Sequence, residues 1–358
     1  MSNYLKNMIK ASGNPYASLV EDGIETSDVT GYINTGSYIL NGLLSGSIYK
    51  GIPNNKITSF SAPEASGKTW FAMSIVKSFL DSNPEAVCFY FDSESSVTSE
   101  NFKTREIDPN RVVVIPVITI EEFRTQAIKI IDNYLEQNIS DRKPIIMVCD
   151  SLGNLSTIKE ITDISTGSEK KDMTRAALIK GAFRVLTVKL GIAKIPLVVC
   201  NHTYPKIGTM YPEVEQSGGS GIKYAGSTML LLSKRKEKQD GKVIGNVIHC
   251  KTYKSRFTKE NQIVDVLLTY DGGLDKYYGL LPIAERYGIF KKVSTRYEMP
   301  DGSKVFESAI LNNPEKYYTK EVMEKINLAV AKEFKYANTL TDEEKQMNAL
   351  EEPDTKEE

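Results

Sequence analysis

One run of residues, 57–70, limits the possible folds of this chain more than any other. It reads ITSFSAPEASGKTW: an apolar, β-branched stretch, a turn of small residues, and then Gly67-Lys68-Thr69 at the start of an amphipathic segment. A strand, a small-residue turn and a helix that begins in this way form a phosphate-binding loop, whose backbone N–H groups surround an anion. The pattern therefore predicts an α/β fold that binds a nucleotide at this loop.

The chemistry expected of this phosphate loop, residues 62–69, is that of ATP with Mg²⁺. Lys68 is expected to reach the β- and γ-phosphates, and the Thr69 hydroxyl is expected to be a ligand of the metal. The residues predicted to contact the nucleotide are Ala62, Pro63, Glu64, Ala65, Ser66, Gly67, Lys68, Thr69 and Trp70. The alternative is a chance Gly-Lys-Thr sequence in a surface turn.

Ala62 departs from the usual pattern, which has glycine at this position. A Cβ atom restricts both positive φ and the close approach of a phosphate. The predicted site therefore requires a negative φ at Ala62 or a small shift of the loop.

Composition indicates a globular protein of the intracellular class. Of the 358 residues, 41% are hydrophobic and 25% are charged, and the net charge is −1. Residues 1–13 have no apolar segment of the signal-peptide type, and no run approaches membrane-spanning length. The four cysteines lack metal-ligand spacing and lie in apolar, strand-like runs, so we expect reduced thiols in the core. Because no apolar run is long enough to span a membrane, we expect no membrane association. Residues 341–358 hold eight acidic and two basic residues, which is typical of a solubilising tail or of a segment that competes for a cationic groove.

Alternating patterns along the chain predict a mostly parallel, doubly wound sheet. Predicted strands are 56–60, 87–91, 112–117, 145–149 and 196–200, and predicted helices are 69–80, 121–137 and 172–191. Strands at 228–232, 246–251 and 263–269 follow without helices, which indicates an antiparallel continuation. A helix near the N-terminus has an apolar face that includes Tyr4 and Met8, and residues 279–340 form a smaller, mostly helical unit with a hairpin at 291–306.

Polar residues follow three of the predicted parallel strands, where active residues of such sheets lie. Glu94, with Asp92 in reserve, is the candidate to orient and deprotonate an attacking water, and Asp150 is the candidate Mg²⁺ carboxylate. His202 follows the third strand and could hydrogen-bond the γ-phosphate and report its loss. The alternative for each carboxylate is a solvated loop residue.

Two long segments follow these strand ends. Residues 203–221 are rich in Gly and Ser and carry Tyr204 and Lys206, a composition that suits single-stranded nucleic acid, and 157–171 is a second segment of this kind. Lys254 and Arg256 lie in a basic cluster after a strand and could supply a positive charge to a transferring phosphate. Mobile surface loops and a solvated strand edge are the alternatives.

With these positions assigned, the chain resembles the RecA-family recombinases, and within them the branch of T-even-type bacteriophages. The resemblance runs from about residue 34 to about residue 335. The matching stretches are Thr35-Gly36-Ser37, residues 62–69, Tyr90-Phe91-Asp92-Ser93-Glu94, residues 150–155, residues 172–176, residues 201–204, Lys254-Ser255-Arg256 and residues 271–275.

The resemblance implies a RecA-like P-loop ATPase core, with a mostly parallel, twisted sheet flanked by helices, over residues 31–278. It further implies an N-terminal subunit-docking segment at 1–30 and a small α+β C-terminal domain at 279–340, before the acidic tail at 341–358. The implied activity is ATP-dependent exchange of DNA strands by a helical filament on single-stranded DNA paired with homologous duplex. A filament loader and a single-strand-binding protein are implied partners, and the implied location is the cytoplasm of a phage-infected bacterium.

Roles are carried over by position. Glu94 matches the water-activating glutamate, Asp150 the Mg²⁺ carboxylate, and His202 the place of a γ-phosphate-sensing glutamine. Residues 156–171 and 203–221 match two DNA-binding loops. The implied DNA-binding residues are Arg175, Tyr204, Lys206, Gly218 and Gly219.

The remaining carried-over roles concern a neighbouring subunit and the adenine. Lys254 and Arg256 match the region that reaches the neighbour's ATP, and Tyr270 matches an aromatic residue that contacts adenine. A second adenine-stacking position falls on Asn101, with Phe102 one residue away. The same core also occurs in hexameric DNA helicases, and a filament paralogue that does not hydrolyse ATP is a further alternative suggested by Ala62.

Overall fold

The computed structural model describes residues 2–167, 174–205, 214–239, 241–341 and 344. The helices are α1 (Ser2–Ser12), α2 (Tyr38–Ser45), α3 (Lys68–Ser82), α4 (Ser99–Lys103), α5 (Ile120–Glu136), α6 (Ile158–Ser165), α7 (Arg175–Ala193), α8 (Ser220–Ala225), α9 (Leu280–Arg286), α10 (Glu307–Asn312), α11 (Pro314–Tyr317) and α12 (Lys320–Phe334). The strands are β1 (Tyr32–Ile33), β2 (Ile52–Pro53), β3 (Ile57–Ala62), β4 (Val87–Asp92), β5 (Val112–Pro116), β6 (Ile145–Asp150), β7 (Leu197–Pro205), β8 (Val214–Gln216), β9 (Thr228–Gln239), β10 (Lys242–Ser255), β11 (Ile263–Thr269), β12 (Gly273–Leu274), β13 (Lys291–Val293), β14 (Arg296–Glu298) and β15 (Lys304–Phe306).

These elements fall into two compact units that interleave along the chain. The first unit takes its residues from 1–32, 53–60 and 79–227, and the second from 33–52, 61–78 and 228–358. The domain limits expected from the sequence stay a prediction.

The first unit is built on strands in the order β3-β7-β6-β4-β5. Strand β4 pairs in parallel with both β5 and β6, and β6 pairs in parallel with β7. Strand β6 is buried along its whole length, as expected for apolar strands covered on both faces. Helix α5 packs on the sheet through Phe123, whose ring centroid lies 5.1 Å from that of Phe91, and α7 packs against α5.

The second unit contains the antiparallel strands β9 to β12. Strand β10 pairs with β9 on one side and with β11 on the other, so the predicted antiparallel continuation is confirmed. Helix α12 packs closely on α2 at Gly42. A Cβ atom at this position would lie only 2.6 Å from the Val330 side chain. The Asn327 side chain ties these helices further by accepting hydrogen bonds from Ser47 and the backbone N–H of Ile48.

Most predicted elements agree with the observed ones to within a few residues, but two predictions were wrong. Residues 158–165, expected to be part of a long loop, form helix α6, which begins with a capping box between Thr157 and Glu160. The hairpin expected at 291–306 is a three-stranded sheet, because an additional turn separates β13 from β14. Its predicted turn at Asp301-Gly302 lies between β14 and β15, as expected.

The four cysteines are reduced and buried, as predicted. Helix α1 forms where it was predicted, and its apolar side chains are exposed, with Tyr4 at 66% and Met8 at 53%. In the part of the chain that the structure describes, none of the helices is long and apolar enough to cross a membrane.

Candidate nucleotide and DNA sites

The phosphate loop has the predicted local structure. Strand β3 ends at Ala62, and the 15-residue helix α3 begins at Lys68. The Lys68 ammonium turns back over the loop and donates hydrogen bonds to the carbonyls of Ala62 and Pro63, at 3.3 and 3.0 Å. Its side chain is therefore held against the loop backbone, and the residue is only 7% exposed. A cation and the first N–H groups of a helix thus lie together at this turn, which is the electrostatic requirement for a phosphate.

The requirement for a negative φ at Ala62 is met. The left-handed residues of the loop are Ala65, with φ of 52°, and Gly67, with φ of 87°. A Cβ atom at Gly67 would also lie 2.9 Å from Leu268, so both backbone angle and space favour glycine there. The loop places its unusual backbone angles in its second half, and alanine is accommodated at its first position.

A second lysine touches this loop. Lys234, on the exposed part of β9, donates a 2.5 Å hydrogen bond from its ammonium to the Ala65 carbonyl. This contact lies in the second unit and holds the carbonyl of the left-handed alanine. The sequence did not indicate it, because more than 160 residues separate the partners.

The aromatic residues predicted for this site differ in exposure. Tyr270, after β11, is 60% exposed, so its ring is open to a base. Trp70 packs over Gly273, where a Cβ atom would be 3.0 Å from the indole ring. Tyr270 is thus the more exposed of the two rings and the better candidate to contact a base.

Three strand ends of the first unit bring together Glu94, Ser151 and His202. The Glu94 carboxylate oxygen Oε1 lies 2.9 Å from the His202 Nε2 atom and accepts a 2.5 Å hydrogen bond from the Ser151 hydroxyl. Glu94 and His202 were predicted from their places after β4 and in β7, and Ser151 was not assigned a role. Together with Tyr90 and Asp150 we call these residues the strand-end cluster.

Glycine allows His202 to approach the end of β6. A Cβ atom at Gly153 would lie 2.8 Å from the His202 ring and 3.3 Å from the Asn201 amide oxygen. Gly153 lies in a single 3₁₀ turn, Leu152–Asn154, directly after Ser151. The turn therefore leaves room for the imidazole that holds Glu94.

The candidate metal carboxylate is buried and hydrogen-bonded. Asp150 ends β6, is 1% exposed, and accepts a 2.6 Å hydrogen bond at Oδ2 from the Tyr90 hydroxyl. Burial, with a contribution from the Asp150 charge, raises the pKa of Tyr90 well above its usual range, so the phenol keeps its proton. The backbone carbonyl of Asp150 accepts from the N–H of Ser93, which joins the ends of β4 and β6.

The reserve carboxylate, Asp92, has a structural role. It is 6% exposed, and its oxygens accept from the backbone N–H groups of Glu94 at 3.0 Å and of Ser96 and Val97 at 3.5 Å. These bonds shape the turn that carries Glu94. The arrangement favours Glu94 over Asp92 as the base.

The structure does not favour adenine stacking at Asn101 or Phe102. Phe102 is 3% exposed, and its ring packs edge-on against Tyr90 at 5.8 Å between centroids. The Asn101 side chain completes a capping box with Thr98 at the start of α4. Both side chains serve the fold of the first unit, so we leave them out of the proposed nucleotide contacts.

Lys254 and Arg256 lie at the end of β10 and directly after it. Arg256 is exposed, whereas Lys254 is partly buried. Burial first, and then the charge of Arg256, lower the pKa of Lys254 below its usual range. Arg256 is therefore an exposed cation, and Lys254 is a partly desolvated one.

The predicted DNA-binding positions fall into three groups. Tyr204 is 54% exposed near the end of β7, and Lys206 lies outside the described residues. Gly218 and Gly219 have φ of 86° and 64° and form the tight turn into α8, where they pack on α7. Strands β7 and β8 form an antiparallel hairpin on either side of the undescribed residues 206–213.

Arg175 braces this region. Its guanidinium donates to the carbonyl of Gly153 at 2.7 Å and to that of Leu155 at 3.0 Å. The arginine predicted to contact DNA thus supports the turn after β6, beside the strand-end cluster.

The two residues predicted as Mg²⁺ ligands each carry a donor of the right chemical type. Mg²⁺ prefers oxygen ligands and is usually held by one or two carboxylates together with substrate phosphates. Asp150 supplies a carboxylate and Thr69 a hydroxyl, both hard oxygen donors. No group of three or more His, Cys, Asp or Glu residues that could hold a metal alone occurs among the residues described.

A phosphate loop between β3 and α3, in a chain whose parallel strands end in acidic and imidazole side chains, defines a nucleotide-binding protein of the P-loop α/β class. Comparison of the whole chain with protein families makes the assignment narrower. The model of the RecA N-terminal domain matches residues 2–275. The chain belongs to the RecA family, and the resemblance stated from the sequence is confirmed.

Individual relatives agree with this assignment. A recombination and repair protein of Enterobacteria phage T4 is 31% identical over 260 residues, which cover 73% of this chain and 65% of that protein. A RecA protein of Malacoplasma penetrans is 27% identical over 80% of this chain and 84% of its own length. A RecA protein of Frankia alni is 25% identical over 92% of both chains. The match thus spans a little under two thirds of the phage protein.

Proposed function

We propose that this protein is an ATP-dependent recombinase that forms helical filaments on single-stranded DNA and pairs that strand with homologous duplex. Support comes from membership of the RecA family, from the T4 recombination and repair relative, and from the chemistry of the two candidate sites. The single observation that carries most weight is the shared acceptor Glu94 Oε1, bound by both His202 and Ser151. It joins a candidate catalytic base to the strand that leads into the candidate DNA-binding hairpin.

The hydrolytic step uses Glu94 as general base. Glu94 orients a water molecule and takes its proton as the water oxygen attacks the γ-phosphorus, and the bond from that phosphorus to the bridging oxygen breaks to give ADP and phosphate. Lys68 and the backbone N–H groups of the phosphate loop hold the phosphates. Mg²⁺, when bound, neutralises charge on the phosphate oxygens, and Thr69 and Asp150 are the residues that would hold it. Tyr270 offers a ring to the adenine.

The link to DNA runs through His202. Its ring is bonded to Glu94, and its backbone carbonyl accepts from the N–H of Ser217, on the far side of the β7–β8 hairpin. A change in the hydrogen bonding of Glu94 is therefore passed to the hairpin that carries Tyr204 and, beyond the described residues, Lys206. DNA bound at the hairpin biases the same contact in return, since coupling between two sites is reciprocal.

Assembly into a filament is proposed to use helix α1 and the basic residues at the end of β10. The exposed apolar face of α1 suits docking on a neighbouring subunit, as the 1–30 segment was expected to do. Lys254 and Arg256 are the cations proposed to reach a neighbour's ATP. A loader and a single-strand-binding protein are proposed partners, and the phage relative supports a location in the cytoplasm of an infected bacterium.

The test is ATP hydrolysis by the purified full-length chain with and without single-stranded DNA. We expect a severalfold increase on addition of the DNA, and electron micrographs with ATP and DNA should show open helical filaments. An unchanged rate would contradict the proposal. Closed rings that unwind forked duplex would replace it with the helicase alternative, and DNA filaments without any hydrolysis would replace it with the non-hydrolysing paralogue.

A further inference from the structure

Tyr90 and Asp150 form a buried hydrogen-bonded pair inside the first unit. In the parallel pairing of β4 with β6, Tyr90 lies opposite Val148, and Asp92 lies opposite Asp150. Because side chains on a strand repeat every two residues, Val148 and Asp150 share one face of β6, and the Tyr90 ring reaches diagonally along it. The hydroxyl lies 2.6 Å from Asp150 Oδ2, the length of a charge-assisted O–H···O⁻ bond.

The hydroxyl is difficult to explain by packing alone. Tyr90 is fully buried, and its ring is held edge-on by Phe102. Phenylalanine would fill the same space without a polar group that requires a partner in the core. The partner that satisfies the hydroxyl is the candidate Mg²⁺ carboxylate, which is itself 1% exposed.

We propose that Tyr90 is a positioning residue for the metal site, which fixes the orientation of the Asp150 carboxylate by donating a hydrogen bond to Oδ2. This inference rests on the proposed function, because it takes Asp150 as the carboxylate that serves Mg²⁺. Metal-serving carboxylates are commonly oriented by a hydrogen bond from a neighbouring side chain, and loss of such a bond lowers metal affinity by about 10- to 100-fold. Asp150 is oriented in two ways, by Tyr90 at its side chain and by the Ser93 N–H at its backbone carbonyl.

The test variant is Tyr90→Phe, which removes the hydroxyl and keeps the ring against Phe102. The chain offers a matched control in Tyr287, whose hydroxyl donates a 2.7 Å hydrogen bond to the carboxylate of Glu333 within the second unit. Tyr287→Phe removes a bond of the same kind from residues that have no proposed contact with nucleotide. Both variants are expected to melt at a lower temperature than the wild type, because each loses one tyrosine–carboxylate hydrogen bond.

The decisive readout is nucleotide binding without turnover. A fluorescent, non-hydrolysable ATP analogue is titrated at a series of Mg²⁺ concentrations and in EDTA, and the Mg²⁺ concentration that gives half of the maximal affinity gain is compared. We expect Tyr90→Phe to raise this concentration about tenfold and to leave the affinity in EDTA unchanged. Tyr287→Phe is expected to match the wild type in both measurements. An unchanged Mg²⁺ midpoint in Tyr90→Phe, or an equal shift in both variants, would overturn the inference.

A second comparison shows whether Tyr90 acts through Asp150. When Tyr90→Phe is added to Asp150→Asn, no further rise in the Mg²⁺ midpoint is expected, and a further rise would overturn the inference. If wild-type nucleotide affinity shows no dependence on Mg²⁺, the proposed metal site itself fails and the role of Tyr90 fails with it, whereas a normal wild-type response with an unchanged Tyr90→Phe overturns only the role of Tyr90.

Discussion

The phosphate loop and the strand-end cluster obtain their chemistry in different ways. In the loop, the groups proposed to bind phosphate are mostly backbone N–H groups, and the Lys68 side chain lies against the carbonyls of its own turn. In the cluster, each group is a side chain held by another side chain that is distant in sequence: Tyr90 and Asp150 are 60 residues apart, and His202 and Glu94 are 108 apart.

This difference determines how each region tolerates substitution. The loop accepts alanine at position 62 because its backbone there has a negative φ, and its left-handed angles lie at Ala65 and Gly67. The cluster has no such freedom, since a single carboxylate oxygen of Glu94 receives two hydrogen bonds of defined length. We therefore expect side-chain changes in the cluster to alter turnover strongly, and changes in the loop to alter binding.

The largest effect is expected for the replacement of Glu94 by Gln. The amide cannot take a proton from water, so ATP hydrolysis should fall by about 10²- to 10⁴-fold, while nucleotide binding is retained. Glu100→Gln, at an exposed position in the first turn of α4, is the matched control and should leave the rate at the wild-type level. Steady-state hydrolysis with single-stranded DNA measures both variants. Equal losses would show that the cluster does not assign the base to Glu94.

Lys68→Ala tests the loop and should act on binding. Removal of the ammonium from the proposed phosphate site should weaken ATP binding by about 100-fold, the effect of a hydrogen bond to a charged group, and should abolish ATP-dependent DNA binding. Calorimetric titration of ATP in the presence of Mg²⁺ measures the dissociation constant. Lys325→Ala, at an exposed position on α12, is the control and should leave it unchanged. Wild-type affinity in Lys68→Ala would contradict the loop assignment.

Gly153→Ala sharpens the comparison, because it changes the cluster without removing a functional group. The added Cβ would lie 2.8 Å from the His202 ring, so the imidazole or the 3₁₀ turn must shift, which disturbs the contact of His202 with Glu94. A displacement of this order should lower DNA-stimulated hydrolysis by about tenfold. Gly181→Ala in α7, where a Cβ atom would meet nothing within 4 Å, should leave the rate at the wild-type level. If DNA stimulated hydrolysis by Gly153→Ala as strongly as by the wild type, His202 would have no role in coupling DNA binding to hydrolysis.

The smallest expected effect belongs to a local capping box, which lies in neither region. Glu122 accepts from the N–H groups of Ile118 and Thr119 at the start of α5, and these bonds lower the pKa of Glu122 below its usual range. Because the folded-state pKa is depressed, the stability that Glu122 contributes is present at neutral pH and is lost as pH falls through that pKa. Glu122→Ala should cost about 0.5–1 kcal/mol at pH 7 and less at pH 4, as measured by urea unfolding. An equal stability difference for Glu122→Ala at pH 7 and pH 4 would exclude this explanation.

The sequence predicted the class of fold because its signals are local. Apolar β-branched runs that alternate with amphipathic segments were found at β3, β4, β6 and β7 to within a few residues, and the turn at Asp301-Gly302 was found as well. The error at 158–165 arose because this stretch was grouped with the Gly- and Ser-rich segment 203–221 as a loop, whereas the capping box of Thr157 and Glu160 specifies helix α6. That signal was present in the sequence, as a Thr followed three residues later by Glu.

The site was only partly predictable from the sequence. Glu94, Asp150 and His202 could be chosen because each lies at or near the end of an apolar strand. Ser151 lies at such an end as well but was not assigned a role, and Tyr90 and Lys234 carry no such mark. Phe102 was chosen for its aromatic ring and is enclosed in the core against Tyr90. The sequence indicates which residues lie at the end of a strand. Only the structure shows whether the side chain of such a residue is buried or accessible.

The amino-acid sequence by itself determined the phosphate loop, the parallel character of the first strands and the family, because these depend on short-range periodicity and on consecutive residues. Only the tertiary structure decided that one oxygen of Glu94 joins Ser151 to His202, and that Tyr90 holds Asp150. Such contacts arise where strands that are distant in the chain are brought side by side. Hydrogen bonds of this kind depend on distances of a few ångströms, which no spacing along the chain specifies.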